Sequence, residues 1–527
     1  MNIRRYFNKN KHGIWLYTVL IVASAAAALF AVNNIKISPD SMRFGVVSQQ
    51  ILSGNGIRVP VIRLEDNYVP VNGAIPFLDQ MPLLPVLFAL LGGVTPQNYV
   101  PAQLINVVCH VAVAIFTFLL MGKFCNRGIA LLTGILVSFS YPLLRLTQFI
   151  ASEPLFIALT TAAIYFLILS RDTDRSHFRR NLFIAGICAS AAIFTRNAGI
   201  ALIPVFLWEA LMAAKNKRPE VNYVSTIFAL ALPVIATATM FVRNYIISGT
   251  FRGFSQASPE RSFLQALSGT VETIYLQFQL SKSSFFLFSM IMMLCMLYVL
   301  INTRLRKEAL KYLNAGFDSI IVFQISYTTL IVLTMAKQAW RFELRYMSPI
   351  VPFLFVAAIF LLVFVWERIT IGRFSNLSFI GLISSLVIIA GGSLYKTYLN
   401  LPEFSYRPEK TYSILEYCTY KWIKEKYAAN TVIATNKPFH LSFFGGYSTI
   451  ALPHKRFDPT IHVPDDMESV LPDRMSKSGS QVIALFEEAE EKYDGDYIAG
   501  LFNERRDNDR FIVTHTCSDG VVYISRK

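Results

Sequence analysis

The sequence predicts an all-α polytopic membrane domain of about eleven transmembrane helices, followed by a small C-terminal α/β domain. Three observations carry this expectation. Of the 527 residues, 54% are hydrophobic and only 16% charged, whereas a soluble chain would be about a quarter charged. Apolar runs of about 18 to 22 residues recur as far as residue 398, the length a bilayer-spanning helix needs. A membrane β-barrel would instead show alternating segments of about ten residues. Beyond residue 398 the long apolar runs give way to alternation and charge.

The first span is Ile14 to Val32, preceded by Arg4, Arg5, Lys9 and Lys11, which places the N-terminus in the cytoplasm. Ala26-Ala27-Ala28 would also suit a cleaved signal peptide, and either way the next loop lies outside. Later spans are expected near 99–121, 129–142, 153–170, 182–195, 198–213, 223–246, 284–301, 317–335, 347–366 and 376–397. The connecting segments test the sidedness. Lys123/Arg127, Arg171/Arg175/Arg179/Arg180, Lys215/Lys217/Arg218, Arg304/Arg306/Lys307/Lys311 and Arg368/Arg373 fall in segments expected inside, and the outer ones are sparser. This bias accounts for the net charge of +15 without a nucleic-acid partner. An odd number of spans leaves the tail, 399–527, extracytoplasmic. The first domain is therefore 1–398, with an outer loop at 33–98.

In the tail, Ile414 to Tyr427 and Tyr497 to Phe502 read as helical, Thr431 to Thr435 and Gln481 to Phe486 as strands, and Phe511 to Ser525 as a hairpin about Asp519-Gly520. The six cysteines show no paired spacing for zinc or a disulfide framework. Cys109, Cys188 and Cys295 lie in apolar runs as small core residues. Cys418 and Cys517 share the tail and would be placed to pair in an oxidising compartment. His454, Asp458, His462, Asp465 and Asp466 crowd one stretch, but the prolines between them favour an irregular surface loop over a metal site.

The loop at 33–98 is polar although it separates two spans. Ser38-Pro39-Asp40 has the form of a helix start, with Phe44, Val47 and Ile51 at helical spacing and Gly54 as a stop. Met81-Pro82-Leu83-Leu84-Pro85 running to Gly92-Gly93 reads as a short interfacial helix, with Asp79 just before it. For Asp40 and Asp79 alike, the simplest role is to complement a helix dipole. Glu153 lies in Ser152-Glu153-Pro154 at the outer start of a span. Arg196, Arg243, Lys337, Arg341 and Arg345 fall near outer span ends, where positive-inside pressure should keep cations few. They suit phosphate or interfacial anchoring, and Glu343 would satisfy one or two of them.

In this order the segments resemble the GT-C superfamily of membrane glycosyltransferases, in the branch of the lipid A aminoarabinose transferases and protein O-mannosyltransferases. Asp40-Ser41-Met42-Arg43-Phe44 matches a family pattern like Asp-Glu-x-Arg-Tyr, with Ser41 replacing the second acid. Asp79-Gln80-Met81-Pro82-Leu83 echoes Glu-Lys-Pro-Pro-Leu, with Gln80 replacing the lysine. Ser152-Glu153-Pro154-Leu155-Phe156, Thr195-Arg196, Arg243-Asn244-Tyr245, and Arg345-Tyr346 before Pro349 and Pro352 are similar to further landmarks. The resemblance spans nearly the whole chain.

It implies a GT-C-like fold and inverting transfer of a sugar from a polyprenyl-phosphate donor to a glycolipid, polysaccharide or protein acceptor on the outer face of a bacterial plasma membrane. Asp40 would take the acceptor's proton. Arg243, Lys337, Arg341 and Arg345 would meet the phosphate, and Asp79 and Glu153 would orient a substrate or Asp40 itself. Arg43, Gln80, Arg196 and Tyr346 complete the expected substrate-binding set. No metal ligand is named by this pattern, although the resemblance leaves room for a divalent cation. A polytopic transporter or flippase for lipid or lipid-linked sugar is the competing class. Such a protein needs neither a long first outer loop nor a folded tail, and the sequence lacks the two related halves often found in transporters.

Overall fold

The computed structural model describes residues 11–33, 35–63, 74–78, 80–171, 175–215, 223–251, 261–278, 280, 282–337, 342–369, 395, 398–399, 414–429, 431–452, 467–486 and 505–526. The chain divides into two compact units. One comprises Met1–Ile35, Gln103–Arg243 and Glu260–Tyr406; the other comprises Lys36–Ala102, Asn244–Pro259 and Arg407–Lys527.

The first unit is helical. Among the described residues, seven helices are long and apolar enough to cross a membrane, or up to eight if a bent pair counts as one span. Six follow expected spans closely: Ile14–Val32, Val100–Met121, Glu153–Ser170, Ser225–Ser248, Lys282–Ile301 and Leu344–Arg368. The seventh, Thr303–Lys337, runs well past the expected 317–335. The bent pair is Arg127–Ser138 with Tyr141–Thr147, turned by 52°; Pro142 opens its second half, where a missing N–H costs nothing. The expected spans at 182–195 and 198–213 are helical, but as Arg175–Thr195, whose first turns carry three arginines, and as a 3-10 turn leading into Ile203–Lys215. The expected span at 376–397 lies outside the described residues.

Packing separates inner from outer helices. In an 18-residue apolar window of each helix, 78% of the residues are buried in Glu153–Ser170 and 83% in Leu344–Arg368, against 6% in Lys282–Ile301, which presents Phe286, Met293 and Ile301 outward. An apolar helix with so little protein around it has a surface suited to lipid. Phe263–Gln277 is a helix with no counterpart in the expected list. It starts at a capping box between Ser262 and Gln265 and carries Ser268 and Glu272, so it offers no long apolar run to read.

The second unit contains an α/β fold, but its boundary differs from the expected one. Its six-stranded sheet has the order β2-β5-β4-β6-β8-β7, in which β4 (Val432–Thr435), β5 (Ser448–Ala451), β6 (Val482–Phe486), β7 (Phe511–Cys517) and β8 (Gly520–Ser525) come from the tail. The edge strand β2 is Val61–Arg63, from the first outer loop, and runs parallel to β5 with Val61 opposite Thr449. The loop assigned by sequence to the membrane domain therefore shares a sheet with the tail. Beside it, β1 (Arg58–Val59) pairs antiparallel with β3 (Ile75–Pro76). β6 is buried along its whole length, as expected of a central strand with both faces covered. Around it, Ile423, Ile433, Leu441, Tyr447, Phe486 and Val522 belong to one core.

Other tail elements agree with the sequence in part. The hairpin about Asp519-Gly520 forms as expected. The expected helix from Ile414 is shorter, Cys418–Lys426, with its first N–H groups held by the Asp519 carboxylate at 2.6 and 3.1 Å. The helices Pro438–Gly445 and Met467–Ser478 were not anticipated. The expected helix at 497–502 and the His454–Asp466 stretch lie outside the described residues.

Candidate active site

In the loop, the helix Pro39–Leu52 begins as its sequence dictates. Ser38 is the N-cap, its hydroxyl accepting from the Ser41 backbone N–H at 3.2 Å, while the Ser41 hydroxyl accepts from the Ser38 N–H at 3.0 Å. Two N–H groups that the helix leaves open are thus satisfied reciprocally. The helix ends before Gly54, whose φ of +78° suits glycine. Met42, Phe44 and Val47 are buried, and Phe44 meets Phe77 edge-to-face at 6.3 Å.

This start separates two roles that the sequence left together. The serine pair makes the cap, so Asp40 is not required for it. Asp40 instead accepts a hydrogen bond from the Gln80 side-chain amide at 2.9 Å, and the Arg43 guanidinium stands 4.0 Å from the same carboxylate oxygen. Arg43 lies over the Phe439 ring, 4.4 Å from its centroid. Gln80, expected to bind substrate, is thus placed on the carboxylate, and Ser41 on the cap. Asp79 lies outside the described residues. The short helix before Gly92-Gly93 is Leu83–Leu90.

In the helical unit, Glu153 is buried at the start of Glu153–Ser170 and pairs with Arg196 at 2.7 Å; Arg196 also donates to the Ser152 hydroxyl at 2.9 Å. Arg345 pairs with Glu343 at 2.6 Å and donates to the Tyr346 hydroxyl at 3.3 Å. Tyr327 donates to the Tyr346 carbonyl at 2.8 Å. Arg243 is half-buried in the last turns of Tyr223–Ser248, Lys337 is exposed at the end of Asp318–Lys337, and Arg341 lies outside the described residues. Glu153 and Arg196 come together, as do Arg345 and Tyr346.

Sequence reading missed a charge network at the other end of Glu153–Ser170. Arg171 bonds bidentately to Glu209, pairs with Asp318 at 2.8 Å, and donates to the carbonyls of Leu313 and Asn314. Trp208 donates to Asp318 at 2.8 Å, and Ser319 donates to Glu209. Burial opposes the Arg171 charge, but Glu209 and then Asp318 outweigh it and hold its pKa above the ordinary value. The one available signal was a pair of acids, Glu209 and Asp318, in or beside apolar runs.

Cys418 and Cys517 are disulfide-bonded, with Cα atoms 6.2 Å apart. The His515 imidazole lies against both sulfurs and stacks on Trp422 at 4.6 Å. Because the two sulfurs are bonded to each other, this trio offers no thiolate to a metal.

Residues 90–246 match the family model described as dolichyl-phosphate-mannose-protein mannosyltransferase. No curated protein matches the chain. Among solved structures, the chain is similar to ArnT from Cupriavidus metallidurans bound to undecaprenyl phosphate, with a TM-score of 0.59 and 12% identity over 98% of each chain. The apo form of the same protein gives 0.60 and 13%, over 96% of this chain and 97% of that one. The archaeal oligosaccharyltransferase AglB from Archaeoglobus fulgidus, in complex with an inhibitory peptide and a dolichol-phosphate, gives 0.55 and 13%, over 91% of this chain and 70% of that one. The chain therefore has the GT-C fold, and its residues 90–246 match the protein mannosyltransferase family model.

Proposed function

We propose that this protein is an inverting glycosyltransferase that moves a sugar from a polyprenyl-phosphate donor to a glycolipid, polysaccharide or protein acceptor. The observation that carries this reading is Asp40. It is a carboxylate at a helix start whose cap is made by other residues, oriented by a neutral amide. The fold supports the reading, since a structure of this fold holds undecaprenyl phosphate, as does the match of residues 90–246 to a mannosyltransferase model.

The chemistry needs few groups. Asp40 accepts the proton of the acceptor's nucleophile as that atom bonds to the sugar's anomeric carbon. The carbon–oxygen bond to phosphate breaks on the opposite face, and the electron pair leaves with the polyprenyl phosphate. The leaving group is a stable anion, so no strong acid is required. Basic side chains, with Arg243, Lys337, Arg341 and Arg345 as candidates, meet its developing charge. In this reading the acceptor side is extracytoplasmic, the N-terminus cytoplasmic and the membrane the bacterial plasma membrane. A divalent cation is not built into the mechanism: Asp40 meets an amide and a guanidinium, both donors, and the second acid of the family pattern is replaced by the capping Ser41.

The test is mass spectrometry of envelope glycolipids, glycans and glycoproteins from cells with the gene, without it, and complemented with Asp40→Asn. One sugar missing from one acceptor class in both the deletion and the Asp40→Asn strain is the expected result. An unchanged envelope in both strains overturns the proposal.

A further inference from the structure

We propose that the C-terminal domain belongs to the catalytic apparatus, with Phe439 as a positioning residue that sets Arg43 against Asp40. The inference rests on the reading of Asp40 as the base. It begins with the helix Pro438–Gly445, which packs on the helix Pro39–Leu52 within one compact unit. Gly45 marks how close this contact is. A Cβ there would stand 2.5 Å from the Phe443 ring, so a larger residue would require the ring or its helix to shift.

Phe439 and Phe443 are four residues apart and share one face of their helix. While Phe443 packs on Gly45, Phe439 lies under the Arg43 guanidinium at 4.4 Å, within cation–π range. The Arg43 side chain is only 15% exposed, and an attraction of this kind is stronger where water is largely excluded. Arg43 is three residues from Asp40 on the same helix face, with its guanidinium 4.0 Å from the carboxylate. Ordering a flexible arginine side chain costs conformational entropy, which the ring beneath it helps to offset. The aromatic face narrows the choice of the Arg43 side chain, whose guanidinium faces the same carboxylate oxygen that Gln80 bonds. The strand β2, which joins the loop's Val61–Arg63 to the tail's β5, fixes the same two segments a second time. The tail thus takes part in orienting the base.

The test uses purified full-length protein with a panel of undecaprenyl-phosphate-linked hexoses and pentoses as donors and the acceptor class found by the envelope comparison, following release of undecaprenyl phosphate as the sugar joins the acceptor. Phe439→Leu keeps an apolar side chain and removes the π face. Its kcat should fall about tenfold with the donor KM unchanged, and Phe439→Tyr should restore it. Arg43→Ala should lose a similar amount, and adding Phe439→Leu to it should cost nothing further, because the two act along one chain of contacts. Hydrogen exchange over residues 39–52 gives a readout that needs no donor: faster in Phe439→Leu, unchanged in Phe439→Tyr. Wild-type kcat in Phe439→Leu, losses that multiply in the double variant, or identical exchange in all three proteins overturn the inference. Asp40→Asn separates it from the reading beneath it. Normal turnover in Asp40→Asn removes the base itself, whereas an inactive Asp40→Asn beside a fully active Phe439→Leu removes only the role of the tail.

Discussion

The two compact units treat their charges differently. In the helical unit, Arg171 and Arg196 each meet a carboxylate at 2.8 Å or closer: Asp318 and Glu209, and Glu153. In the loop–tail unit, Asp40 accepts from a neutral amide at 2.9 Å and stands 4.0 Å from an arginine. A close ion pair in a dry setting holds helices together and commits both charges. A carboxylate that accepts from an amide is oriented by a contact that carries no charge of its own. This contrast separates charges that build the scaffold from one suited to proton transfer, and both sides of it are open to attack.

The largest effect is expected at Asp40. Asn keeps the shape and the Gln80 contact but takes no proton, so Asp40→Asn should lower the rate of transfer about 10² to 10⁴-fold in protein that still folds and still binds the donor lipid. The measurement is single-turnover transfer beside a thermal unfolding curve. Were Asp40 only complementing the helix dipole, the change would cost about 1 kcal/mol of stability or less and leave the rate near normal.

Arg171 should behave in the opposite way. Arg171→Met leaves Glu209 and Asp318 buried without their cation, and breaking a buried pair of this kind costs about 3 to 5 kcal/mol. The expected outcome is a lower unfolding temperature and lower yield, with turnover per folded molecule within about twofold of wild type. A large loss of turnover at unchanged stability would break the comparison from this side, by moving the network from scaffold to chemistry.

The same contrast explains what could be read from the sequence. The Ser38 cap, the Gly54 stop, the Asp519-Gly520 turn and most of the long apolar helices are local signals, set by neighbours within a turn or by the 3.6-residue period. The pairing of β2 with β5 is not local. The Thr449 N–H donates to the carbonyl of Pro60, and the two residues are 389 apart in sequence, so the loop was assigned to the wrong neighbour. Arg171 was read as one more inner-side cation, because its carboxylate partner Glu209 lies 38 residues away in a run that otherwise reads as a plain apolar helix. Of the site, the residue types at Asp40, Arg43 and Gln80 were legible as a pattern. That Gln80 bonds Asp40, and that Arg43 rests on Phe439 of the tail, depends on contacts between segments and was not.

The smallest effect is expected at Ser41, and it sharpens the comparison most finely. In the resemblance this position carries an acid; here its hydroxyl closes the capping box with Ser38. If capping is its whole contribution, Ser41→Ala should cost less than about 1 kcal/mol of stability, the cost of losing the N-cap residue itself, and leave kcat within about twofold. Ser41→Glu should keep the stability, because a glutamate three residues after a serine cap also reaches back to the cap's N–H. The metal question is settled by the same pair of proteins. Transfer by the wild type should be insensitive to EDTA, since the contacts described at Asp40 are donors, an amide and a guanidinium. If Ser41→Glu remains insensitive, the acid of the family pattern is replaceable by any good cap at this position. If Ser41→Glu becomes faster with added magnesium or manganese, the second acid supplies a cation site that serine has removed. A wild type that already loses transfer in EDTA would place a cation beside Asp40, and the proton would then move in a field this reading of the site does not include.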